Sequence, residues 1–156
     1  MKSMIKDNNL IKALVFGLIA IPMFYIFNHL EIIISESIDH RFFWKIDGTP
    51  KKGEYVTFKL THPLISVNEA RLTKKLVCWQ GDMLTMKKRE FFCNGKTMGK
   101  AKLKSTTGKR LPLFKFSGEI PQGMAFASGS HIDSFDSRYW GLLNIKIGSI
   151  QRLHVL

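Results

Sequence analysis

Serines that could act as nucleophiles occur in two short polar stretches of the sequence. The first is "SES" at 35–37, which contains Ser35 and Ser37, and the second is "SHIDSFDSRYWG" at 130–141, which contains Ser134. A serine hydroxyl is a weak nucleophile unless a neighbouring base removes its proton. The chemistry of these stretches therefore depends on which residue elsewhere in the chain could serve as that base.

Lysine is a better candidate for the base than histidine. None of the five histidines lies in a GxSxG or HExxH motif. A lysine can replace histidine where burial lowers its pKa, because desolvation disfavours the charged ammonium. The segment "TKKLVCWQGD" places Lys74 and Lys75 at the start of an apolar strand. Neighbouring residues of a strand point to opposite faces, so only one of these lysines can enter a site.

The chain has 156 residues and a net charge of +12, which fits one domain with an anionic partner or a solvated basic surface beside a membrane. Anionic lipid and an acidic protein precursor are both candidate partners. We see no basic motif interleaved with aromatic residues, so we expect no nucleic-acid partner. With only two cysteines, the sequence excludes a disulfide-dense scaffold and a four-cysteine zinc site.

An uncharged run, "ALVFGLIAIPMFYIF" at 13–27, lies close to the N-terminus. Apolar residues on both sides extend it to 10–30, which reaches the roughly 20 residues that cross a hydrocarbon core. A cleaved signal peptide also fits a basic start and an apolar middle. The following "NHLEIII" has no small-x-small cleavage site, so we favour an uncleaved transmembrane anchor in which Pro22 is tolerated.

The charges before this run predict its orientation. Lys2, Lys6 and Lys12 precede the apolar stretch, and the positive-inside rule then places the N-terminus in the cytoplasm. We therefore predict a cytoplasmic N-terminus at 1–9, a single-pass anchor at 10–30 in the inner (cytoplasmic) membrane, and an extracytoplasmic domain at 31–156.

The residues after the anchor favour strands over helices. "EYVTFKL" alternates polar and apolar residues, and similar short apolar segments, bounded by glycine-containing turns, follow it to the C-terminus. We expect strands at "EIIISES", "RFFWKI", "KKLVCWQ", "LPLFKFSG", "MAFASG", "LLNIKIG" and "SIQRLHVL", and a hairpin in "MLTMKKREFFCNGKTM" with Asn94-Gly95 at its tip. The sequence therefore predicts a mainly β domain with coiled, Greek-key-like sheets.

The order of these segments resembles the type I signal peptidases of family S26, the Ser-Lys proteases that cut secretory signal peptides. "KKLVCWQGD" resembles the family's lysine segment, in which a lysine lies eight residues before the Asp of a Gly-Asp pair. "KKGEYVTF" resembles the strand between nucleophile and lysine, and "FCNGK" resembles an Asn-Gly hairpin of the family. "IPQGMAFASGSHIDSFDSRYWG" resembles its last segment, of which "DSRYWG" is the most specific part. The resemblance runs from Ser35 to the end and implies a signal-peptidase-like coiled β-sheet domain.

The resemblance implies a role for each candidate site residue. Ser37 would be the nucleophile, and Ser35 would help its backbone N–H form the oxyanion hole. Lys74 would be the general base, and Ser134 matches the serine that orients this lysine. No metal or other cofactor is expected in this mechanism.

Two further positions of the last segment would act structurally. The resemblance implies that Asp136 and Arg138 pair and hold their loop on the core. The sequence departs from the family pattern after the nucleophile, where Ile38 and Asp39 replace the usual Met and a nearby Pro. An acid at this position could raise the pKa of the catalytic lysine or could face solvent, and both alternatives remain open.

The alternatives within the site are Ser35 as the nucleophile and Lys75 as the base. Cys78 and Cys93 are expected on neighbouring strands of one hairpin, where an oxidising compartment would permit a disulfide. The alternative is a pair of buried free thiols. Two thiols without a histidine pattern are too few ligands for a metal site.

The small domain and its last segment also resemble a subgroup, the conjugal-transfer (TraF-like) peptidases that mature pilin subunits for type IV secretion. This implies signal-peptide-bearing precursors such as pilins as substrates, presented as extended strands with small residues before the cut. An inactive structural component of a transfer apparatus is the alternative function. A self-cleaving regulator with the same dyad is a third, against which the apolar N-terminal run argues.

Overall fold

The computed structural model describes the backbone of residues 2–65, 69–146 and 148–156, and the side chains from residue 8 onward. Helix α1 runs over Lys2–His29 and includes Pro22. Within the described part of the chain, Asn8–His29 is the one helical stretch long and apolar enough to cross a membrane, and its apolar side chains are exposed. This helix coincides with the predicted anchor at 10–30, whose insertion in a membrane stays a prediction.

Strands dominate the rest of the described chain. In order they are β1 (Leu30–Ile32), β2 (Phe42–Ile46), β3 (Tyr55–Leu60), β4 (Ala70–Trp79), β5 (Met83–Lys87), β6 (Glu90–Cys93), β7 (Lys96–Lys100), β8 (Gly118–Glu119), β9 (Met124–Ser128), β10 (Leu143–Asn144) and β11 (Gln151–Val155), with a short helix α2 (Ser137–Trp140) between β9 and β10.

These strands form two antiparallel sheets among the described residues. The larger sheet has the order β1-β2-β11-β3-β4-β9-β10, and the smaller has the order β7-β6-β5-β8. Buried side chains from both sheets form the core, with one cluster around Phe91 and Phe126 and another around Val56 and Leu76. The predicted mainly β class with one N-terminal apolar helix is therefore confirmed.

The smaller sheet is built by consecutive tight turns. Asn94 and Gly95 both have positive φ and connect the paired residues Cys93 and Lys96, so the predicted hairpin tip is confirmed. A second two-residue turn at Lys88-Arg89, also with positive φ, separates β5 from β6. The predicted hairpin segment therefore forms three strands.

The two cysteines form a disulfide, but the predicted arrangement of their strands is wrong. Cys78 lies on β4 in the larger sheet and Cys93 on β6 in the smaller sheet, so the disulfide links the two sheets. Between them the chain turns at Gly81, which has a φ of +82°, while a carboxylate oxygen of Asp82 accepts the Trp79 N–H. This turn carries β5 away from β4, and β5 pairs with β6 and β8 instead.

Three predicted strands are largely absent. In "EIIISES" at 31–37 only residues 31 and 32 belong to a strand, β1, and the chain then forms a turn. The segment 111–117 forms no strand, and only Gly118–Glu119 after it joins a ladder. Pro112 has no N–H to donate to a ladder, and the alternating apolar side chains of the segment pack directly on the core cluster around Phe91. In "LLNIKIG" the strand is confined to Leu143–Asn144.

Candidate active site

Lys74 and Lys75 lie side by side on β4 but in opposite environments. Lys74 is only 2% exposed, whereas Lys75 is exposed and places its Nζ 5.4 Å from the ring centre of Tyr55. The difference follows from the alternation of side chains along a strand. Lys74 is therefore the lysine that faces the interior.

Burial makes the Lys74 ammonium unfavourable. Its pKa falls from the ordinary value of 10.5 to about 8, mainly because desolvation penalises the charged form. The negative charge of Asp136 raises the pKa and the positive charge of Arg138 lowers it, but both effects are smaller than desolvation. A neutral amine, which can accept a proton, is thus accessible near physiological pH.

Ser134 has a buried hydroxyl without a partner. The residue is 2% exposed, and its Oγ makes no hydrogen bond to any described residue. Among the described buried side-chain nitrogen and oxygen atoms, only Trp140 Nε1 also lacks a partner. A buried polar atom without a partner is uncommon in native proteins and requires an explanation. The hydroxyl can both donate and accept, so it is suited to contact a substrate or a catalytic group.

Gly129 brings the Ser37 and Ser134 segments together. A Cβ placed on this glycine would lie 2.2 Å from Ser134 Oγ and 2.3 Å from the Ser37 carbonyl oxygen, so both oxygens surround one point. The same carbonyl accepts the N–H of Ser130 at 2.9 Å. Gly129 also follows Ser128, which pairs with Lys75 beside the base. The structure therefore gathers the Ser37 segment, Ser134 and the strand that carries Lys74 around Gly129.

The segment with the predicted nucleophile follows β1 and contains a turn. Ser37 is half-buried and Ser35 is exposed. Ile38 is buried in a small cluster with Phe43 and Tyr55, which fixes the segment through apolar packing. This contact accounts for an apolar residue directly after the predicted nucleophile.

Asp39, the unexpected acid after the predicted nucleophile, faces solvent. It is exposed and is not among the charges that shift the pKa of Lys74. Its negative charge instead adds to desolvation in raising the pKa of Tyr55. Of the two alternatives left open by the sequence, the structure favours the solvent-facing acid.

The carboxylate of Asp136 organises the loop behind the site. It is fully buried and accepts two 2.8 Å hydrogen bonds from the guanidinium of Arg138. It also accepts the backbone N–H of Gly129 at 3.1 Å and the hydroxyl of Ser128 at 3.2 Å. Asp136 is the N-cap of α2 as well, which places the pair predicted from the resemblance inside a capped helical turn.

The guanidinium of Arg138 connects this loop to the rest of the domain. It donates to the carbonyl of Ser134 at 3.2 Å and to the carbonyl of Lys100 on β7 at 3.1 Å. The backbone position of Ser134 is therefore held by the same buried ion pair that ties the loop to the smaller sheet.

Two residues of this arrangement were missed at the sequence level. Gly129 was included only as the last residue of the predicted strand "MAFASG" and within the last segment, and Ser137 was taken only as part of the specific run. In the structure Ser137 Oγ accepts the Ala127 N–H at 2.9 Å and so joins the loop to β9. For Ser137 the local signal was Asp136, which precedes a short run that it could cap. For Gly129 there was no local signal, because its neighbours in the fold are distant in sequence.

Two strand edges beside the site lack a strand partner among the described residues. β4 pairs with β3 from Ala70 onward but with β9 only from Lys75 onward, and β1 pairs with β2 alone. A contact of 3.3 Å between the side chains of Arg71 on β4 and Glu31 on β1 links these two strands, and the Arg71 guanidinium also donates to Thr57 Oγ1 on β3 at 3.2 Å. Such edges can accept an extended peptide as an additional strand.

Comparisons with known proteins agree with the resemblance seen in the sequence. A family model described as "Signal peptidase, peptidase S26" matches residues 9–150. Among solved structures, the chain is similar to a signal peptidase I from Enterococcus faecalis V583, with 21% identity over 71% of this chain and 99% of that chain and a TM-score of 0.42. No curated protein matches the chain.

Proposed function

Since the chain belongs to the signal peptidase family, peptidase S26, we propose that it cleaves signal peptides with a catalytic dyad of Ser37 and Lys74. The family prediction is confirmed, and membership implies a serine endopeptidase that acts on proteins bearing a signal peptide. The observation that carries the dyad is Lys74, a buried lysine whose pKa is about 8, in a site that also contains the unpartnered hydroxyl of Ser134.

The proposed reaction begins with proton transfer. Neutral Lys74 Nζ takes the proton of Ser37 Oγ, which attacks the carbonyl carbon of the scissile peptide bond. The Ser37 N–H and the Ser35 hydroxyl donate to the resulting oxyanion. As the tetrahedral intermediate collapses, the C–N bond breaks and Lys74 returns the proton to the leaving amine.

The acyl-enzyme is then hydrolysed by the reverse use of the same groups. Lys74 accepts a proton from a water molecule, whose oxygen attacks the ester carbonyl, and the proton passes to Ser37 Oγ as the enzyme is released. In this scheme Ser134 donates or accepts one hydrogen bond that directs Lys74 towards Ser37. Asp136 and Arg138 hold the loop that carries Ser134.

The substrate would bind in extended form. The free edges of β1 and β4 next to the site offer unpaired backbone N–H and C=O groups, and a peptide strand could pair with them. Small residues before the cut would allow the peptide backbone to approach the backbone of these strand edges closely. We propose pilin precursors of a conjugative type IV secretion system as the substrates, on the resemblance of the last segment to the TraF-like subgroup.

The proposed location is the inner membrane with the catalytic domain outside the cytoplasm. The apolar part of helix α1 would be the anchor, and the basic residues of the helix before the apolar run at 13–27 would stay on the cytoplasmic side. The disulfide between Cys78 and Cys93 supports an oxidising compartment for the domain. The anchor continues directly into β1, so the site would lie close to the bilayer surface.

The test is processing of a pilin precursor by the full chain in membranes. We expect wild type to cut the precursor and Ser37→Ala and Lys74→Ala to leave it uncut. Lys75→Ala is the matched control, because it removes the exposed neighbour and should preserve cutting. Cutting by the Ser37 or Lys74 variant at the wild-type rate would contradict the dyad. If wild type and Lys75→Ala cut the precursor and the other two variants do not, both the dyad and the substrate are established.

A further inference from the structure

Most of the excess positive charge is concentrated in one part of the chain. Residues 87–110 contain nine basic residues and one acidic residue, a net charge of +8 out of the +12 of the whole chain. This segment covers the last residue of β5, strands β6 and β7, and the loop that follows them. The charge therefore lies on the smaller sheet, and the proposed peptidase chemistry does not use it.

Only two of these nine cations are engaged by neighbouring groups. The Arg89 guanidinium donates to the carbonyls of Ala101 and Lys102, and Lys102 forms an ion pair with Asp133. The other seven are exposed, and none of them forms an ion pair with a described residue; they are Lys87, Lys88, Lys96, Lys100, Lys104, Lys109 and Arg110. These seven unpaired cations, of which Lys88 and Lys100 line one cleft, give this part of the domain a strongly positive surface.

Two large apolar side chains lie within this positive surface. Leu103 is 66% exposed and Ile132 is 62% exposed, although both are aliphatic residues that burial would favour. They line one shallow cleft together with Lys88 and Lys100. We call these four residues the basic-apolar patch. Neither its charges nor its apolar groups are matched within the described protein.

The basic-apolar patch lies close to the nucleophile segment and therefore to the end of the anchor. Ile132 follows His131 and Ser130, and the Ser130 N–H binds the carbonyl of Ser37. Ile34, between β1 and the nucleophile, is 88% exposed. Because β1 begins at the residue after α1 ends, Ile34 and Ser37 lie only a few residues after the proposed membrane span, and the bond from Ser130 to Ser37 joins the loop that carries Ile132 to them.

We propose that the basic-apolar patch docks onto anionic phospholipids of the bilayer that holds α1. Lysines attract the negative headgroups, while exposed aliphatic side chains enter the boundary between headgroups and acyl chains. Because α1 tethers the domain, this second contact forms at a high effective concentration and orients the catalytic domain on the membrane. The inference depends on the anchor proposed above but not on the Ser-Lys dyad.

The test uses the full chain in lipid nanodiscs and needs no enzymatic turnover. Co-elution with nanodiscs first establishes that α1 is inserted. Hydrogen-deuterium exchange of the peptides 100–106 and 130–135 is then compared between phosphatidylcholine and a mixture with phosphatidylglycerol. We expect slower exchange of both peptides in the anionic nanodiscs and loss of this protection at high salt, where surface charges are screened.

Matched variants separate the patch from overall charge. Lys88→Gln with Lys100→Gln should abolish the anionic protection, because each lysine near an anionic surface contributes roughly a fivefold effect, or about 25-fold together. Lys51→Gln with Lys146→Gln removes two exposed cations elsewhere and should retain it. Leu103→Ser with Ile132→Ser should weaken the low-salt protection in anionic nanodiscs, unlike Met83→Ser at another exposed site.

Three results would overturn the proposal. One is equal exchange in zwitterionic and anionic nanodiscs. Another is an equal loss of protection in the two double variants, Lys88→Gln with Lys100→Gln and Lys51→Gln with Lys146→Gln, which would indicate a diffuse charge effect. The third is protection by a single-stranded DNA added to zwitterionic nanodiscs without any protection by anionic lipid, which would assign the surface to nucleic acid. Failure of precursor processing alone would leave these measurements unaffected.

Discussion

At the scale of single residues, the ionisation of Lys74 controls the proposed chemistry. The neutral amine is the active form, so kcat/KM should rise with pH and reach half of its maximum near pH 8, the pKa set mainly by burial. At pH 7 about one tenth of the lysine would be neutral. The measurement is a pH profile of cleavage, with Lys75→Ala as a control that should keep the same profile. A midpoint near the ordinary lysine value would contradict a buried base.

Gly129 is the second residue whose role can be tested singly. A methyl group at this position would approach Ser134 Oγ and the Ser37 carbonyl oxygen far inside van der Waals contact. Gly129→Ala should therefore reduce kcat at least about 100-fold, since small displacements of catalytic groups have large effects. Gly148→Ala is the control, because a Cβ there meets no atom within 4 Å.

Circular dichroism and denaturation should accompany the Gly129 measurement. A folded Gly129→Ala protein with low kcat supports a positioning role for the glycine. Activity equal to that of Gly148→Ala would show that the site can relax around the methyl group, and the proposed convergence of Ser37 and Ser134 would be wrong.

At the scale of elements, the strand that precedes Ser37 and the strand that carries Lys74 are far apart in the sheet order. β1 and β4 are separated by β2, β11 and β3, so no ladder connects them directly. Glu31 on β1 contacts Lys45 on β2 at 3.2 Å and Arg71 on β4 at 3.3 Å. Only the second contact joins two strands that share no ladder.

This arrangement predicts different effects for two similar substitutions. Arg71→Met removes the side-chain link between β1 and β4. A partly exposed ion pair contributes up to about 1 kcal/mol, so kcat/KM should fall about fivefold. Lys45→Met removes the same charge but only from strands that a ladder already joins, and should remain near wild type. Steady-state cleavage assays at low salt compare the two, and equal losses would speak against the link.

At the scale of the whole molecule, one covalent bond joins the two sheets. The disulfide between Cys78 and Cys93 spans 15 residues and connects the sheet that carries Lys74 with the sheet that carries the basic surface. Its loss should lower the free energy of unfolding by about 3 kcal/mol for a loop of this length. Chemical denaturation of the full chain in detergent, with and without reductant, measures this.

The double variant Cys78→Ser with Cys93→Ser serves as the control for the reductant. It should match the reduced protein and show no further response to reductant. An unchanged denaturation midpoint after complete reduction would mean that packing between the sheets suffices without the disulfide.

The sequence by itself determined the features that depend on neighbours along the chain. The apolar run at 10–30 predicts a helix, Asn94-Gly95 predicts a tight hairpin, and strand alternation separates Lys74 from Lys75. The order of the segments was sufficient to identify the family, because "DSRYWG" and the lysine segment are specific in both composition and spacing. These signals are local, since backbone conformation and side-chain alternation repeat over a few residues.

Only the tertiary structure decided which distant residues meet. It placed Cys78 and Cys93 on different sheets, packed 111–117 on the core without a ladder, and surrounded Gly129 with Ser37 and Ser134. The solvent-facing position of Asp39 and the depth of burial that lowers the pKa of Lys74 were likewise undecided by composition or spacing. The physical reason is that burial and close approach depend on packing between segments far apart in the chain, and no local pattern encodes that packing.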